Sequence, residues 1–162
     1  MFSGIVEKIG IIKELTADKL VILEPSIAQA LNISDSIAVN GICLTIVDIH
    51  KECFVVEISP ETMSRTNLQD LNKNDLLNLE KPLAYNGLIG GHLVQGHVDT
   101  IGKIENIKEE GNSKIFTTSH PKTYTQYVVE KGFITVDGIS LTVVECIRSE
   151  ERRVGKECRS RW

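Results

Sequence analysis

No stretch of this sequence is apolar for long enough to cross a bilayer as a helix. Its opening residues, Met1-Phe-Ser-Gly-Ile-Val-Glu7, carry neither the basic nor the apolar region of a secretory signal. Cysteine is sparse: Cys43, Cys53, Cys146 and Cys158 stand far apart, so neither zinc-type pairs nor a CxxC redox motif can be drawn. Free thiols in a reducing cytosol, and therefore a cytoplasmic protein without membrane contact, are the expectation. Basic charge is in deficit, with 18 Lys and Arg against 22 Asp and Glu and a net charge of −4, which argues against a nucleic-acid surface. Walker loops and dinucleotide fingerprints are absent as well.

What the chain does have is a duplication. Ser36-Ile-Ala-Val-Asn-Gly-Ile-Cys-Leu-Thr45 returns as Phe133-Ile-Thr-Val-Asp-Gly-Ile-Ser-Leu-Thr142, and residues 36–49 and 133–146 agree at seven of fourteen positions at an offset of 97. Each copy is a β-branched apolar run meeting an Asn-Gly or Asp-Gly turn signal and leaving it as a second run, the pattern of a hairpin. A second echo precedes it: Gly96 to Ile107 matches Gly4 to Leu15 at five of twelve positions, with Gly102 on Gly10. Repeats of this size point to two copies of one structural unit, and 162 residues suffice for two small domains.

The first unit reads as a strand over Gly4 to Leu15 with Gly10 as a bend or bulge, and a strand over Leu20 to Leu23. A short helix follows over Ser26 to Leu31, capped by Ser26. Then come the signature hairpin, a strand through Phe54 to Ile58, a short helix over Pro60 to Asn67 and a last strand over Leu76 to Leu79. The second unit repeats this order, with strands over Gly96 to Ile107 and Ile115 to Thr118, a short helix over Pro121 to Glu130, and the second hairpin. The expected fold is all-β: two tandem homologous six-stranded Greek-key barrels, the second incomplete. The expected boundaries are 1–86 for the N-terminal barrel, 87–147 for the truncated C-terminal one and 148–162 for a tail. The first barrel is expected to fold and bind ligand on its own.

The tail breaks the repeat. Residues 148–162 carry six Lys and Arg against three Asp and Glu and show no strand alternation. They resemble the translated frame of a common sequencing-library adapter, so the natural protein is expected to stop near Ile147 and the tail to be non-native.

Five motifs identify the chain as resembling riboflavin synthase of the α-chain type, a lumazine-binding double barrel. They are the Met1 to Glu7 start, Asn40-Gly-Ile-Cys-Leu-Thr45, Glu61-Thr-Met-Ser-Arg-Thr-Asn-Leu68, Gly90-Gly-His-Leu-Val-Gln-Gly-His-Val98, and Lys131 to Thr142. The resemblance implies a homotrimer and a dismutation of 6,7-dimethyl-8-ribityllumazine. One molecule gives a four-carbon unit to another, yielding riboflavin and a pyrimidinedione without metal or redox cofactor. A duplicated chain suits a reaction between two copies of one substrate, since each barrel can hold one and proximity does much of the work. A lumazine- or flavin-binding protein without catalysis, of the fluorescent antenna type, is the alternative.

Carried over by motif, the N-barrel set is Gly4, Ile5, Val6, Cys43, Leu44, Thr45, Glu57, Ile58, Ser59, Pro60, Glu61 and Thr62. The C-barrel set is Gly96, His97, Val98, Lys131, Ser140, Leu141 and Thr142. Glycines let a ligand approach the backbone, and hydroxyls suit a polyhydroxylated ribityl chain. The two halves of a dismutation need different roles, so positions where the copies differ are informative: Cys43 faces Ser140, and His97 faces Ile5. Cys43, His97, Lys131 and Ser140 are the candidates for proton transfer or nucleophilic work, no role being assigned to any one of them. Read without the resemblance, Cys43 is a buried strand residue and Lys131 a helix-end cation beside Gly132.

Overall fold

A computed structural model describes residues 1–146 and, by backbone alone, residues 151–156. Cys158, and with it three of the tail's six basic residues, lies outside the described residues.

Six strands close into a barrel: β1 (Lys8–Leu15), β2 (Lys19–Leu23), β3 (Ser36–Val39), β4 (Ile42–Ile49), β5 (Cys53–Glu57) and β6 (Leu76–Glu80), in the order β1-β2-β5-β4-β3-β6. The alternation is clear along each strand. Leu20 and Ile22, Ile37 and Val39, Leu44 and Ile46, Phe54 and Val56, and Leu77 and Leu79 all point inward, none more than 4% exposed. Each such side chain contributes about 1.5–3 kcal/mol of burial. Ile27 and Leu68 plug the barrel from α1 (Pro25–Ala28) and from a 3₁₀ turn (Asn67–Asp70) that follows α2 (Pro60–Arg65).

Gly10 is neither bend nor bulge. A Cβ there would lie 2.6 Å from Ile22 Cγ2 and 2.7 Å from Leu79 Cδ1, so glycine is needed for close packing, and the bulge falls between Ile12 and Glu14. The cap of α1 is Glu24, not Ser26. Glu24 is extended and its carboxylate accepts the Ile27 N–H at 2.6 Å, while Pro25, lacking an N–H, opens the helix and leaves Ser26 inside it.

The second half forms β7 (Lys103–Glu110), β8 (Ser113–Ser119), β9 (Phe133–Val136), β10 (Ile139–Cys146) and β11 (Glu151–Lys156), in the order β7-β8-β11-β10-β9. This repeats the first half in detail. The burial pattern of β10 matches that of β4 residue for residue. The bulge between Val143 and Glu145 sits where Ile46 and Asp48 carry one. The expected second helix is a 3₁₀ turn over Lys122–Tyr127. Among the described residues no strand stands where β6 closes the first barrel, so the sheet is open at β7 and β9.

A further expectation, for the tail, is overturned. Residues read as lacking strand character form β11, paired with β8 from Ser119 to Lys114 and with β10 from Thr142 to Cys146. Main-chain groups make that ladder, so it forms between two waiting edges without the side-chain alternation the sequence lacked.

The chain divides into two compact units. The first runs from Met1 to Asp99 and takes in Thr135–Ile139, beyond the 86/87 boundary read from the sequence; the second holds Thr100–Ile134 and the described residues from Ser140 onward. Phe2, fully buried, explains the longer first unit: its N–H donates to Val94 O at 2.8 Å and its carbonyl accepts from Val94 N–H at 3.0 Å.

Candidate active site

Both Asn40-Gly41 and Asp137-Gly138 take left-handed backbone at both positions (φ 47 and 81, 45 and 83), the two-residue turn that matches strand twist. The turn fixes which way β4 faces: Leu44 enters the core at 4% exposure, and Cys43 and Thr45 face outward. Leu44 and its counterpart Leu141 (5% exposed) can therefore offer a ligand only their main chain.

Outward from Thr45 the register assembles a polar row across four strands. Ser36 opposes Thr45, Thr45 opposes Glu57, and Glu57 opposes Lys19. Thr45, Glu57 and Lys19 are exposed. Hydroxyls, a carboxylate and an ammonium side by side form a surface suited to a polyol. Ser36 and Lys19 were not in the expected set. Ser36 could have been found, because it opens the duplicated stretch and differs from Phe133 in the other copy.

Two residues along the same face, Cys43 marks the margin of this row. Its N–H donates to Gly96 O at 2.8 Å. Gly96 is left-handed (φ +88), and a Cβ on it would lie 2.6 Å from Cys43 Cβ and 3.1 Å from Phe2 Cε2. Phe2, Ala38 and Val94 complete a small apolar cluster against the half-buried Cys43. His97, which follows, is exposed, and Val98 packs on the barrel core. Gly96, His97 and Val98, expected with the second barrel's residues, thus lie in the first unit beside Cys43. The physical reason is the Phe2–Val94 pairing, which draws residues 92–98 onto the first barrel.

At the end of the row, Ile58 is buried and Ser59 caps α2, its Oγ accepting the Thr62 N–H at 3.1 Å and meeting Thr62 Oγ1 at 2.9 Å. Pro60 opens that helix, and Glu61 pairs with Arg65 at 2.9 Å on its exposed side. This segment is a rigid border whose hydroxyls are already engaged with one another. Gly4 is buried and left-handed (φ 74), Val6 is half-buried, and Ile5, 40% exposed, lines a separate cleft of about 510 Å³ with Ser3, Glu7, Lys81 and Leu88. That cleft holds none of the proton-transfer candidates.

In the second unit Lys131 is exposed and left-handed (φ 63), its N–H donating to Val143 O at 2.8 Å. Ser34, with φ 76 and a bond to Ile46 O at 2.8 Å, is the same bend in the first copy. Lys131 is therefore a pre-strand bend residue. Ser140 is half-buried and Thr142 exposed, mirroring Cys43 and Thr45.

Near the first site, His92 Nε2 lies 3.1 Å from Thr135 Oγ1, and burial holds its imidazole pKa below the usual value.

Comparison with known proteins agrees with this architecture. The lumazine binding domain family matches residues 3–82 and 95–157, one match per copy of the repeat. Riboflavin synthase of Bacillus subtilis is 44% identical over 147 residues, spanning 88% of this chain and 68% of that protein. The enzyme of Actinobacillus pleuropneumoniae is 39% identical over 149 residues (90% and 69%), and that of Saccharomyces cerevisiae 45% over 121 residues (74% and 51%). Among solved structures, LumP complexed with riboflavin superposes with a TM-score of 0.86 at 24% identity, covering 96% of this chain and 86% of that one, a likeness of fold. A doubled hairpin, each copy presenting a small polar residue and a threonine outward, is thus the mark of its lineage, and the chain belongs to the riboflavin synthase family.

Proposed function

We propose that the chain catalyses the dismutation of two 6,7-dimethyl-8-ribityllumazine molecules. One gives up its four carbons beyond the pyrimidine, C6, C7 and their methyl groups; the other takes them to complete the third ring of riboflavin. The donor leaves as the ribitylamino-pyrimidinedione. The transfer is internally balanced, because one molecule of substrate supplies what the other receives.

The observation that carries this reading is the equivalence of β4 and β10. The same burial pattern presents Cys43 and Thr45 in one copy and Ser140 and Thr142 in the other. Two like surfaces suit two like molecules, and the single changes between them suit a donor and an acceptor. The Ser36–Thr45–Glu57–Lys19 row receives the ribityl hydroxyls in the first site. Cys43 and His97 at its margin serve the proton transfers, including loss of a proton from the C7 methyl. The main chain of Gly4, Ile5 and Val6 adds substrate contacts to the first site, and Lys131, Ser140 and Thr142 serve the second.

Head-to-tail assembly into a homotrimer is part of the same proposal, because a heterologous contact closes into a ring and brings unlike sites together. A cytoplasmic location fits; no helix among the described residues is long and apolar enough to cross a membrane. Mixing the chain with the lumazine and following riboflavin absorbance and fluorescence is the direct test. Saturable lumazine binding without riboflavin would replace the enzyme with a lumazine carrier.

A further inference from the structure

Glu80 ends β6, opposite Ala38, and is only 5% exposed. A carboxylate placed there costs free energy unless donors surround it. Three do: Oε1 accepts the Ser3 N–H at 2.6 Å and the Ser3 hydroxyl at 2.8 Å, and Oε2 accepts the Gly4 N–H at 3.0 Å. These residues lie 77 and 76 positions away in sequence.

The need for the carboxylate follows from the path of the chain. Phe2 is still in a ladder with Val94, and the Ser3 carbonyl accepts the His92 N–H at 3.0 Å. Gly4 then turns left-handed (φ 74), and the Ser3 and Gly4 N–H groups are paired with this carboxylate and not with a strand. Ser3 is 5% exposed, so water cannot meet them either. A side-chain acceptor with two oxygens satisfies both, and charge makes the bonds strong.

We propose that Glu80 is a positioning residue for the active site: by clamping Ser3 and Gly4 it sets the main chain of Gly4, Ile5 and Val6 where substrate meets it. The same clamp holds Phe2 against Val94 and so keeps Gly96 seated on Cys43. Glu80 is not a proton carrier, because both of its oxygens are engaged and it lines the cleft beside Ile5, which holds none of the proton-transfer candidates. The proposal rests on the reading of Gly4 to Val6 as substrate contacts.

The test uses the full chain and Glu80→Gln, in which the amide NH₂ faces the Gly4 N–H and that one bond is lost. Amide exchange at Gly4 is expected to quicken about tenfold or more while the amides of β3 to β5 keep their protection. Turnover of the lumazine is expected to fall about ten- to a hundredfold with KM within about twofold, as a misplaced contact in a preorganised pair predicts. The shape of the pH–rate profile should not change. Ser3→Ala, which removes only the hydroxyl bond, should show a smaller loss of turnover, and it serves if Glu80→Gln folds poorly. Unchanged Gly4 exchange, or faster exchange with wild-type turnover in both variants, overturns the positioning role alone. Loss of the acidic or basic limb of the pH profile makes Glu80 a catalytic group and also overturns it. A wild-type chain that forms no riboflavin overturns the functional reading on which the proposal stands.

Discussion

Cys43 and His97 occupy positions where the two copies differ in chemistry, a thiol against the Ser140 hydroxyl and an imidazole against the Ile5 side chain. If they carry protons, their loss should cost rate rather than affinity. Cys43→Ser is expected to lower turnover about tenfold and His97→Ala about a hundredfold, each with little change in lumazine affinity by fluorescence titration. Wild-type turnover in both would make them walls of the site. His92 gives a pH prediction. Burial holds its pKa in the folded chain below the ordinary value of about 6.5, so the unfolded chain takes up the proton first as pH falls. Its contribution is therefore fully present above the ordinary imidazole pKa and is lost as pH drops through that value toward the folded one. Melting temperatures at pH 7.5 and 5.5 should diverge less in His92→Gln than in the parent; equal divergence would remove His92 as the cause.

At the level of elements, turn chemistry made the hairpins readable. Asn-Gly and Asp-Gly between alternating apolar runs leave little choice of turn, so β3–β4 and β9–β10 stand where the sequence puts them. Gly41→Ala tests the turn. It forces a side chain onto φ +81 and sets its Cβ 2.8 Å from the Gly138 N, so a loss of at least about 2 kcal/mol in denaturant unfolding is expected. Gly10→Ala, blocked by Ile22 and Leu79 inside the barrel, should cost about 1–3 kcal/mol. What stayed hidden follows from the same physics. Gly10 reads as a bend because a sequence cannot show that two side chains from β2 and β6 converge on it. Strand β11 was missed because alternation was sought where main-chain pairing alone sufficed. The seating of Gly96 on Cys43 depends on Phe2 meeting Val94, and Glu80 reaches Ser3 from the end of the strand that neighbours β1, 77 residues away; no local pattern encodes either contact.

For the whole molecule, the first unit is more than its barrel. A fragment ending at 86 would lose the partner of Phe2, the cover over Cys43 and Val98 on the core. Compared with residues 1–99 it should melt at least about 5 °C lower and bind riboflavin at least about tenfold more weakly. Equal melting and binding would return the boundary to the end of the barrel. The pairing of Phe2 with Val94 also has a meaning in time. Phe2 is made 92 residues ahead of Val94, and its place in the fold does not exist until Val94 has been added. At about 5–20 residues per second, that is an interval of about 5–20 s during which the nascent chain carries an aromatic side chain with nowhere to go. A residue made early is thus housed late, and the growing chain offers it to whatever waits at the exit tunnel.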